Sequence, residues 1–349
     1  MRTFWETVCD IDNHPYVIAE IGANHNGDMG LAKEMIDAAR ECGADAVKFQ
    51  SWSNHSLIAK SEYEKNQTYN DSKKKHFGSL YEMVSKYALT VEQHHELNAY
   101  CIENRIQFCS TPFSMEEADL LESLDVPFYK IASMDIDNLT LIKYVAQKGK
   151  PVILSTGMAS LKEIAQAVEV VESQGCEQIV ILHCVSIYPP KMESVNLRNI
   201  SMLDQAFPCS VGFSDHSIGT QLPIASTVLG ARVLEKHFTT DKDLPGWDHA
   251  ISADPSELSE IVSGLKDVSK ALGKSARIVS SAELDKRRSF RRSLVYRTDL
   301  PKGHILCRSD LTAKRPGTGV SDSAIGTVLG RTLSQSVTSD DLVSTDDFN

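Results

Sequence analysis

VILSTGMASLKEIAQAVEVVESQGCEQIVILHCV, residues 152–185, contains a complete strand–helix–strand unit. The apolar, β-branched run Val152–Thr156 is typical of a buried strand, and a second such run spans Ile179–Val185. Between them, Ser160–Gln174 has the apolar spacing of an amphipathic helix. Two strands joined through a helix normally lie parallel in one sheet, so this stretch predicts a parallel α/β fold.

The same alternation continues on both sides of this stretch. The other predicted strands are Tyr16–Asn24, Ala46–Gln50, Ile106–Thr111, Phe128–Ser133, Ser210–His216 and Val233–Thr239. Helical patterns lie between strands, for example at Gly30–Cys42, Thr90–Asn104 and Ile218–Gly230. Eight such units match a (β/α)8 barrel in number and size, so the sequence predicts an α/β fold of the TIM-barrel class. A doubly wound open sheet is the alternative, but eight units overfill it and no GxGxxG motif follows the first strand.

Composition and charge exclude several classes of function. The chain has 349 residues and a formal net charge of −11, so it lacks the basic surface that nucleic acid or an anionic membrane requires. It has no run of about 18 apolar residues, and Met1–Asp12 has no apolar core of a secretory signal. The eight cysteines include no CxxC pair, which argues against a structural zinc site. We therefore expect a cytoplasmic protein with reduced cysteines, and neither nucleic acid nor a membrane among its partners.

Two segments depart from the strand–helix alternation. Trp52–Tyr87 is long, polar and lysine-rich, and it follows the second strand, which places it on the active-site face of a barrel. It is either a solvated surface insertion or a lid. Near the C terminus, short runs separated by turn signals such as Asp299–Gly303 and Pro316–Gly319 indicate a second, small domain. We place the barrel domain at residues 1–275, a linker at 276–287 and the small domain at 288–349.

Polar side chains end nearly every predicted strand. The carboxyl ends of barrel strands meet at one face, where the active sites of this fold lie. Residues two apart on a strand share a face, so most of these side chains point the same way. Packing alone does not explain their convergence, because buried unpaired polar groups are costly. The candidates are Glu20, Asn24, Lys48, Gln50, Thr111, Lys130, Ser133, Ser155, Ser186, Tyr188, Ser214, His216, Glu235 and His237.

His216 and His237 end the seventh and eighth strands, which are neighbours in a barrel. Two imidazoles on adjacent strand ends suit one divalent cation that keeps positions open for water and substrate. Either histidine alone is more simply explained as a satisfied core residue, whereas the pair at matching strand ends favours the metal. The sequence therefore predicts a divalent metal cofactor, with Mn²⁺ preferred and Mg²⁺ or Co²⁺ as alternatives.

Lys48 and Lys130 interrupt two otherwise apolar strands. A buried lysine requires an anionic partner, and serine and threonine hydroxyls end several other strands. Two ammonium groups with several hydroxyls form a phosphate-binding site without a glycine-rich loop. Two other roles are open, namely Lys48 as the structural partner of Glu20 and a lysine Schiff base. The Schiff base is disfavoured because a metal beside two lysines is the simpler means of activating an aldehyde.

Short motifs occur along nearly the whole chain: the barrel carries IAEIGANHNGD, AVKFQ, STPF, YKIAS, LSTGM, HCVSIYP, FSDH and LEKHF, and the tail carries KRPGTG. These motifs resemble those of the bacterial N-acetylneuraminate (sialic acid) synthases. Each motif alone is a weak signal, but their number and order along nearly the whole chain are specific. The resemblance implies a TIM barrel followed by a C-terminal antifreeze-like (SAF) domain. It also implies a domain-swapped homodimer in which the tail of one chain covers the partner's barrel mouth.

The resemblance implies a role for each matching residue. It places the metal on His216 and His237 and makes Glu20 the catalytic carboxylate. It places phosphoenolpyruvate among Lys48, Thr111, Lys130, Ser133, Ser155 and Ser214, with the two lysines taking part in catalysis. It places on the sugar side Gln50, Tyr188, Glu235 and Asp248, with Arg315 contributed by the partner chain. The sequence departs from the family pattern at two positions. Ser186 stands where asparagine is common, which alters one polar contact near phosphoenolpyruvate, and the bulky Trp247 precedes Asp248.

The implied reaction is a transferase-type condensation of phosphoenolpyruvate with an open-chain N-acetylmannosamine-like sugar and water, which releases phosphate. The metal is expected to polarise the aldehyde, and Glu20 to orient the attacking water. The alternative within the family is legionaminic or pseudaminic acid synthesis from a 2,4-diacetamido-2,4,6-trideoxyhexose. A different class, a non-catalytic glycan- or ice-binding protein, is disfavoured because it would not need buried lysines, paired histidines and Glu20 at one face.

Overall fold

The computed structural model describes residues 3–67 and 78–349, and the chain divides into two compact units, Met1–Gly273 and Lys274–Asn349. Residues 68–77, which belong to the segment predicted as a surface insertion or a lid, lie outside the described residues. Within the described ranges, no helix combines the length and the apolar character needed to cross a bilayer. The eight cysteines, all of which lie in those ranges, are free.

The first unit contains eight parallel strands that form a nearly closed barrel. They are β1 (Tyr16–Gly22), β2 (Ala46–Ser51), β3 (Gln107–Pro112), β4 (Tyr129–Ile131), β5 (Val152–Ser155), β6 (Ile179–Cys184), β7 (Ser210–Asp215) and β8 (Val233–His237). The hydrogen-bonded order is β3-β2-β1-β8-β7-β6-β5-β4, and β3 and β4 are neighbours at the seam. The first strand pairs with the last, as a barrel requires and an open sheet does not. The predicted (β/α)8 fold class is therefore confirmed.

Most helices of the first unit cover the outside of the barrel. Their bounds are α1 (Phe4–Cys9), α2 (Met29–Glu41), α3 (Lys60–Lys65), α4 (Leu80–Tyr87), α5 (Val91–Asn104), α6 (Met115–Ser123), α7 (Leu139–Ala146), α8 (Leu161–Glu172), α9 (Asn199–Ala206), α10 (Gln221–Ser226) and α11 (Pro255–Leu272). At the start of α8, the Ser160 side chain accepts a hydrogen bond from the Glu163 N–H, and the Glu163 carboxylate accepts one from the Ser160 N–H. This reciprocal cap satisfies backbone donors that the first turn leaves unpaired. The apolar stripe of α8 is buried in the core and comprises Ile164, Ala167, Val168 and Val171.

The short helix α1, which the strand and helix patterns did not predict, closes the amino-terminal end of the barrel. Phe4 is buried, and its ring centroid lies 4.3 Å from that of Phe128 and 4.9 Å from that of Tyr16. Arg232, immediately before β8, donates a hydrogen bond to the Val8 carbonyl oxygen at 3.0 Å and so ties the segment to the barrel. The apolar contacts fill this end of the barrel, and the polar strand ends lie at the other.

The second unit is small and has few regular elements. It contains α12 (Ser281–Phe290) and the antiparallel pair β9 (Ser293–Tyr296) and β10 (Leu311–Lys314). The helix begins within the predicted linker at residues 276–287. The unit has its own apolar core, formed by Leu294, Tyr296, Leu300, Leu306, Leu311, Val328, Leu333, Val337, Val343 and Phe348.

Candidate active site

The carboxyl ends of the barrel strands surround a cavity of about 240 Å³. The predicted residues that line it are Glu20, Lys48, Gln50, Thr111, Lys130, Ser133, Ser155, Ser186, Tyr188, Ser214, His216, Glu235 and His237. Asn24, which was expected to join these residues at a strand end, is not among the residues that line the cavity. Its Nδ2 donates to the Phe238 carbonyl oxygen and to Ser252 Oγ, both at 2.9 Å, so it joins the segment after β1 to the segment after β8.

The strand register places several of these side chains at common levels. Glu20 on β1 is registered with Lys48 on β2 and with His237 on β8. Ser214 on β7 is likewise registered with Glu235 on β8. Inward side chains at one level of a barrel point towards the same region of its axis. Residues as far apart in sequence as Glu20 and Glu235 therefore reach one cavity.

Glu20 is the centre of a buried polar cluster. Its Oε1 accepts a hydrogen bond from Gln50 Nε2 at 2.6 Å, and its Oε2 lies 2.6 Å from Lys48 Nζ. Lys48 also donates to Thr111 Oγ1 at 3.2 Å. Burial raises the pKa of Glu20, and Lys48 opposes that rise. Burial would lower the pKa of Lys48, but Glu20 and Glu235 raise it above its ordinary value, so the ammonium form is favoured. Lys48 thus pairs with Glu20, as one interpretation expected, and also lines the cavity.

Glu235 lies between the two lysines of the cavity. Its Oε1 is 3.5 Å from Lys130 Nζ and accepts a hydrogen bond from Ser214 Oγ at 3.0 Å, and its Oε2 is 3.9 Å from Lys48 Nζ. Burial would raise the pKa of Glu235, but Lys130 and Lys48 hold it below its ordinary value. Burial lowers the pKa of Lys130. The resemblance implied a sugar-side position for Glu235, whereas its contacts here are with residues predicted to bind phosphoenolpyruvate.

Some buried polar atoms of the cavity have no hydrogen-bond partner among the described residues. They include Ser155 Oγ, Glu235 Oε2 and His237 Nδ1. In native proteins, most buried polar atoms are paired with protein, ordered water or ligand. These atoms are therefore suited to contact a polar ligand or its bound water.

His216 and His237 lie side by side, with ring centroids 5.4 Å apart. The Nδ1 of His216 is 2.8 Å from the Val185 carbonyl oxygen, so this nitrogen carries the proton and Nε2 is available as a ligand atom. Burial, together with His216 and nearby lysines, holds the pKa of His237 well below its usual range, and neutral imidazole is the metal-binding form. The two rings fit a cation held by two nitrogens. No group of three or more His, Cys, Asp or Glu side chains suited to a metal occurs in the described part of the chain.

Two predicted sugar-side residues lie outside the cavity lining. Asp248 follows β8, and its Oδ2 is 3.8 Å from His237 Nδ1, so it is adjacent to the site. Arg315 belongs to the second unit, where its guanidinium carbon lies 4.8 Å from the ring centroid of Phe290. Its contribution from a partner chain stays a prediction.

An aromatic cluster of Phe113, Trp52, Trp247 and Tyr87 lies beside the cavity. Phe113 follows β3, lines the cavity and packs edgewise on Trp52, with 5.9 Å between ring centroids. Trp52 packs on Trp247 at 6.4 Å, and Trp247 packs on Tyr87 at 6.3 Å. The cluster joins segments that follow β2, β3 and β8. Trp247, one of the departures from the family pattern, is thus a packing residue next to Asp248.

Gly157, between β5 and α8, supports two residues of the cavity and was not among the predicted site residues. Its N–H donates to Ser133 Oγ at 3.0 Å. A Cβ at this position would lie 2.1 Å from Ser186 Oγ and 2.8 Å from Ser133 Oγ, so a larger residue would displace these hydroxyls. Gly157 belongs to the LSTGM motif, but a glycine has no reactive side chain that would mark it as part of a site in the sequence.

The chain is similar to known proteins along most of its length. Residues 35–277 match the NeuB family, and residues 291–349 match the SAF domain. The N,N′-diacetyllegionaminic acid synthase of Legionella pneumophila is 40% identical over 330 residues, which cover 92% of this chain and 91% of that protein. The pseudaminic acid synthase of Helicobacter pylori is 36% identical over 337 residues, which cover 96% of this chain and 98% of that protein.

The chain is also similar to a solved structure of a sialic acid synthetase. The N-acetylneuraminic acid (sialic acid) synthetase of Leptospira borgpetersenii superposes with a TM-score of 0.71 at 33% identity, covering 79% of this chain and 90% of that chain. The match to the family and the identity to its named members agree with the barrel and the small C-terminal unit described above. The chain belongs to the NeuB family of nonulosonate synthases and carries a C-terminal SAF domain.

Proposed function

We propose that this protein condenses phosphoenolpyruvate with the open-chain form of an N-acylated amino sugar and water, and releases phosphate. The observation that carries the proposal is the single cavity in which Glu20, Lys48, Lys130 and the two histidines meet at buried positions. Phosphoenolpyruvate has a phosphate and a carboxylate, and two ammonium groups with hydroxyl donors are suited to bind both. The relatives named as synthases of legionaminic, pseudaminic and sialic acids support the same class of reaction.

The bond changes assign work to particular side chains. The methylene carbon of phosphoenolpyruvate bonds to the aldehyde carbon of the sugar, whose double bond to oxygen opens. Water adds at C2, the bond from C2 to the phosphate oxygen breaks, and C2 becomes the keto carbon. Of the two protons of the water, one ends on the former aldehyde oxygen and one leaves with phosphate. Lys48, Lys130 and the strand-end hydroxyls hold phosphoenolpyruvate so that its methylene faces the aldehyde. Glu20, whose Oε1 is fixed by Gln50, orients the water and accepts its proton. The products are a nine-carbon 2-keto acid and inorganic phosphate.

His216 and His237 would hold a divalent cation, with Mn²⁺ preferred, which supplies a Lewis acid for the aldehyde oxygen when bound. We expect a chelator to abolish phosphate release and added Mn²⁺ to restore it. His216→Ala and His237→Ala are expected to lose turnover while their thermal unfolding stays cooperative. Full activity of a preparation shown by elemental analysis to contain no metal would contradict this role.

Within this class, we favour a 2,4-diacetamido-2,4,6-trideoxyhexose over N-acetylmannosamine as the sugar. The N,N′-diacetyllegionaminic acid synthases of Legionella pneumophila and Campylobacter jejuni are 40% and 39% identical to this chain, and the human N-acetylneuraminate-9-phosphate synthase is 36% identical. Phe113 also gives the cavity an apolar wall. Such a wall suits the C6 methyl group of a 6-deoxy sugar better than a hydroxymethyl group, whose hydroxyl would lose its bond to water.

Phosphate release from phosphoenolpyruvate, measured with Mn²⁺ across a panel of sugars, tests both levels of the proposal. We expect kcat/KM to be about 10-fold or more higher for the diacetamido sugar than for N-acetylmannosamine, the scale of one unpaired polar group. The reverse preference would leave the reaction class intact and overturn the choice of sugar. No release with any sugar, combined with measured binding of glycans or ice, would favour the non-catalytic binding protein instead.

A further inference from the structure

The two candidate metal ligands lie at the end of a β ladder, where a buried ion pair continues the connection between the strands. Backbone pairing of β7 with β8 ends at Asp215 and Lys236. Because β7 ends at Asp215, His216 lies one residue beyond it, and His237 is the last residue of β8. The backbone ladder by itself therefore does not fix the position of His216 relative to His237.

The side chains of Asp215 and Lys236 form the ion pair at this point. Both residues are 1% exposed, and Lys236 Nζ lies 2.7 Å from Asp215 Oδ2. Because side chains alternate along a strand, both point to the face opposite the one that carries His216 and His237. Burying an ion pair costs desolvation free energy. Well-packed apolar residues in its place often give a protein that is equally stable or more stable. Stability alone is therefore a weak explanation for a charged pair at this position.

The ion pair also holds the backbone on both sides of His216. Asp215 Oδ1 accepts a hydrogen bond from the Ser217 N–H at 2.9 Å, and Lys236 Nζ donates to the Ser217 carbonyl oxygen. The residues before and after His216 are thus both joined to Lys236, which directly precedes His237. The imidazole of His216 is oriented in turn by its hydrogen bond to the Val185 carbonyl oxygen at 2.8 Å.

We propose that Asp215 and Lys236 are positioning residues that fix His216 relative to His237 and thereby set the affinity of the site for a divalent cation. This inference rests on the proposed metal-binding role of the two histidines. Removing an outer contact that orients metal ligands typically weakens metal binding about 10–100-fold. The same range is expected here, because neither Asp215 nor Lys236 would be a ligand itself.

The decisive variant is Asp215→Asn/Lys236→Met, which removes both charges together and leaves neither one uncompensated in the core. Mn²⁺ affinity is measured on the purified protein without substrates, from the loss of the electron paramagnetic resonance signal of free Mn²⁺. We expect the Kd for Mn²⁺ to rise about 10–100-fold, while the midpoint of thermal unfolding stays close to that of the wild type. A merely structural role would instead lower the midpoint and leave the Kd of the folded protein unchanged.

Two controls complete the experiment. Lys148→Met removes another lysine ion pair, in which Lys148 Nζ lies 2.6 Å from Asp119 Oδ1. Lys148 is in the loop after α7, at the amino-terminal end of the strands and therefore far from the cavity. The substitution should leave the Kd for Mn²⁺ unchanged, and His216→Ala should abolish tight binding. If the wild type binds tightly, His216→Ala does not, and the double variant binds like the wild type, the positioning role alone is overturned. If the wild type binds no Mn²⁺, or His216→Ala binds as the wild type does, the metal site is wrong and this inference with it.

Discussion

At the scale of single residues, neighbours determine what each polar group can do. Glu20 is almost completely buried, yet it has Lys48 2.6 Å away on one oxygen and a hydrogen bond from Gln50 on the other. Burial raises its pKa while both partners oppose the rise, so Glu20 is a stronger proton acceptor than an exposed carboxylate and still has ionic support. These are properties of a general base.

Glu20→Gln tests that role. The amide keeps the shape of the side chain and loses its charge, and Lys48 still has Glu235 as a more distant partner at 3.9 Å. We expect the variant to bind phosphoenolpyruvate with an affinity close to that of the wild type, as measured by calorimetry. Its kcat for phosphate release should fall by about 10²–10⁴-fold. A rate near that of the wild type would show that Glu20 serves only as the structural partner of Lys48.

Gly157→Ala tests the contribution of a residue without a side chain. The new Cβ would lie 2.1 Å from Ser186 Oγ and 2.8 Å from Ser133 Oγ, so both hydroxyls must move. Hydrogen bonds to a charged group are worth about 1.5–3 kcal/mol, and we expect KM for phosphoenolpyruvate to rise about 10-fold or more. Gly326→Ala is the matched control, because its Cβ would meet no atom within 4 Å. An unchanged KM for Gly157→Ala would show that the two hydroxyls contribute little to binding.

At the scale of elements, each strand changes character along its length. The inward face of β1 carries Tyr16 and Ile18 in an apolar layer and then Glu20 in the cavity. On β8 the same change occurs between Val233 and Glu235. The strands therefore present an apolar end to α1 and a polar end to substrate. This separation predicts that the two ends can be altered independently.

Phe4→Ala tests the independence of the two ends. Phe4 is 1% exposed and contacts the ring of Phe128, so its truncation should cost about 3–5 kcal/mol in the free energy of unfolding, measured in urea. The kcat should stay near that of the wild type, because the cavity lies at the opposite end of the strands. Ile11→Ala, at a position 82% exposed, should change stability by no more than about 0.5 kcal/mol. A large loss of kcat in folded Phe4→Ala would contradict the independence.

At the scale of the whole molecule, the barrel and the SAF domain are separate units of one chain. The barrel contains the cavity, whereas Arg315 belongs to the second unit. The net charge of −11 does not attract an anionic substrate, so the cationic groups that bind it must be local. Arginine is a fixed-charge donor with several N–H groups, which suits recognition of a polar sugar.

A mixing experiment tests whether Arg315 acts on the barrel of a partner chain in a homodimer. Arg315→Ala and Glu20→Gln chains are each expected to have only a small residual activity alone. Mixed dimers should regain activity, because one of their two sites would have both residues intact. Subunit exchange is followed independently with differently tagged chains. Exchange without recovered activity would show that Arg315 does not act in trans.

The sequence alone determined the class of fold and most of the site. Strands and helices alternate at the lengths that a (β/α)8 barrel requires, and this periodicity is a property of the chain itself. Parallel strands bring their carboxyl ends to one face, so a polar residue at a strand end can be assigned to the site before any coordinate is known. Glu20, Lys48, Lys130, His216 and His237 were found in this way, and the structure brings them to one cavity.

Only the tertiary structure decided which of these residues contact each other and what supports them. Glu235 lies against Lys48 and Lys130 because of strand register and side-chain rotamers, which a pattern of residue types does not contain. The packing of α1 on the barrel depends in the same way on contacts between residues distant in sequence, such as Phe4 and Phe128. Alternation along one strand is local and can be read from the sequence, whereas contacts between strands and loops exist only after the chain has closed into a barrel.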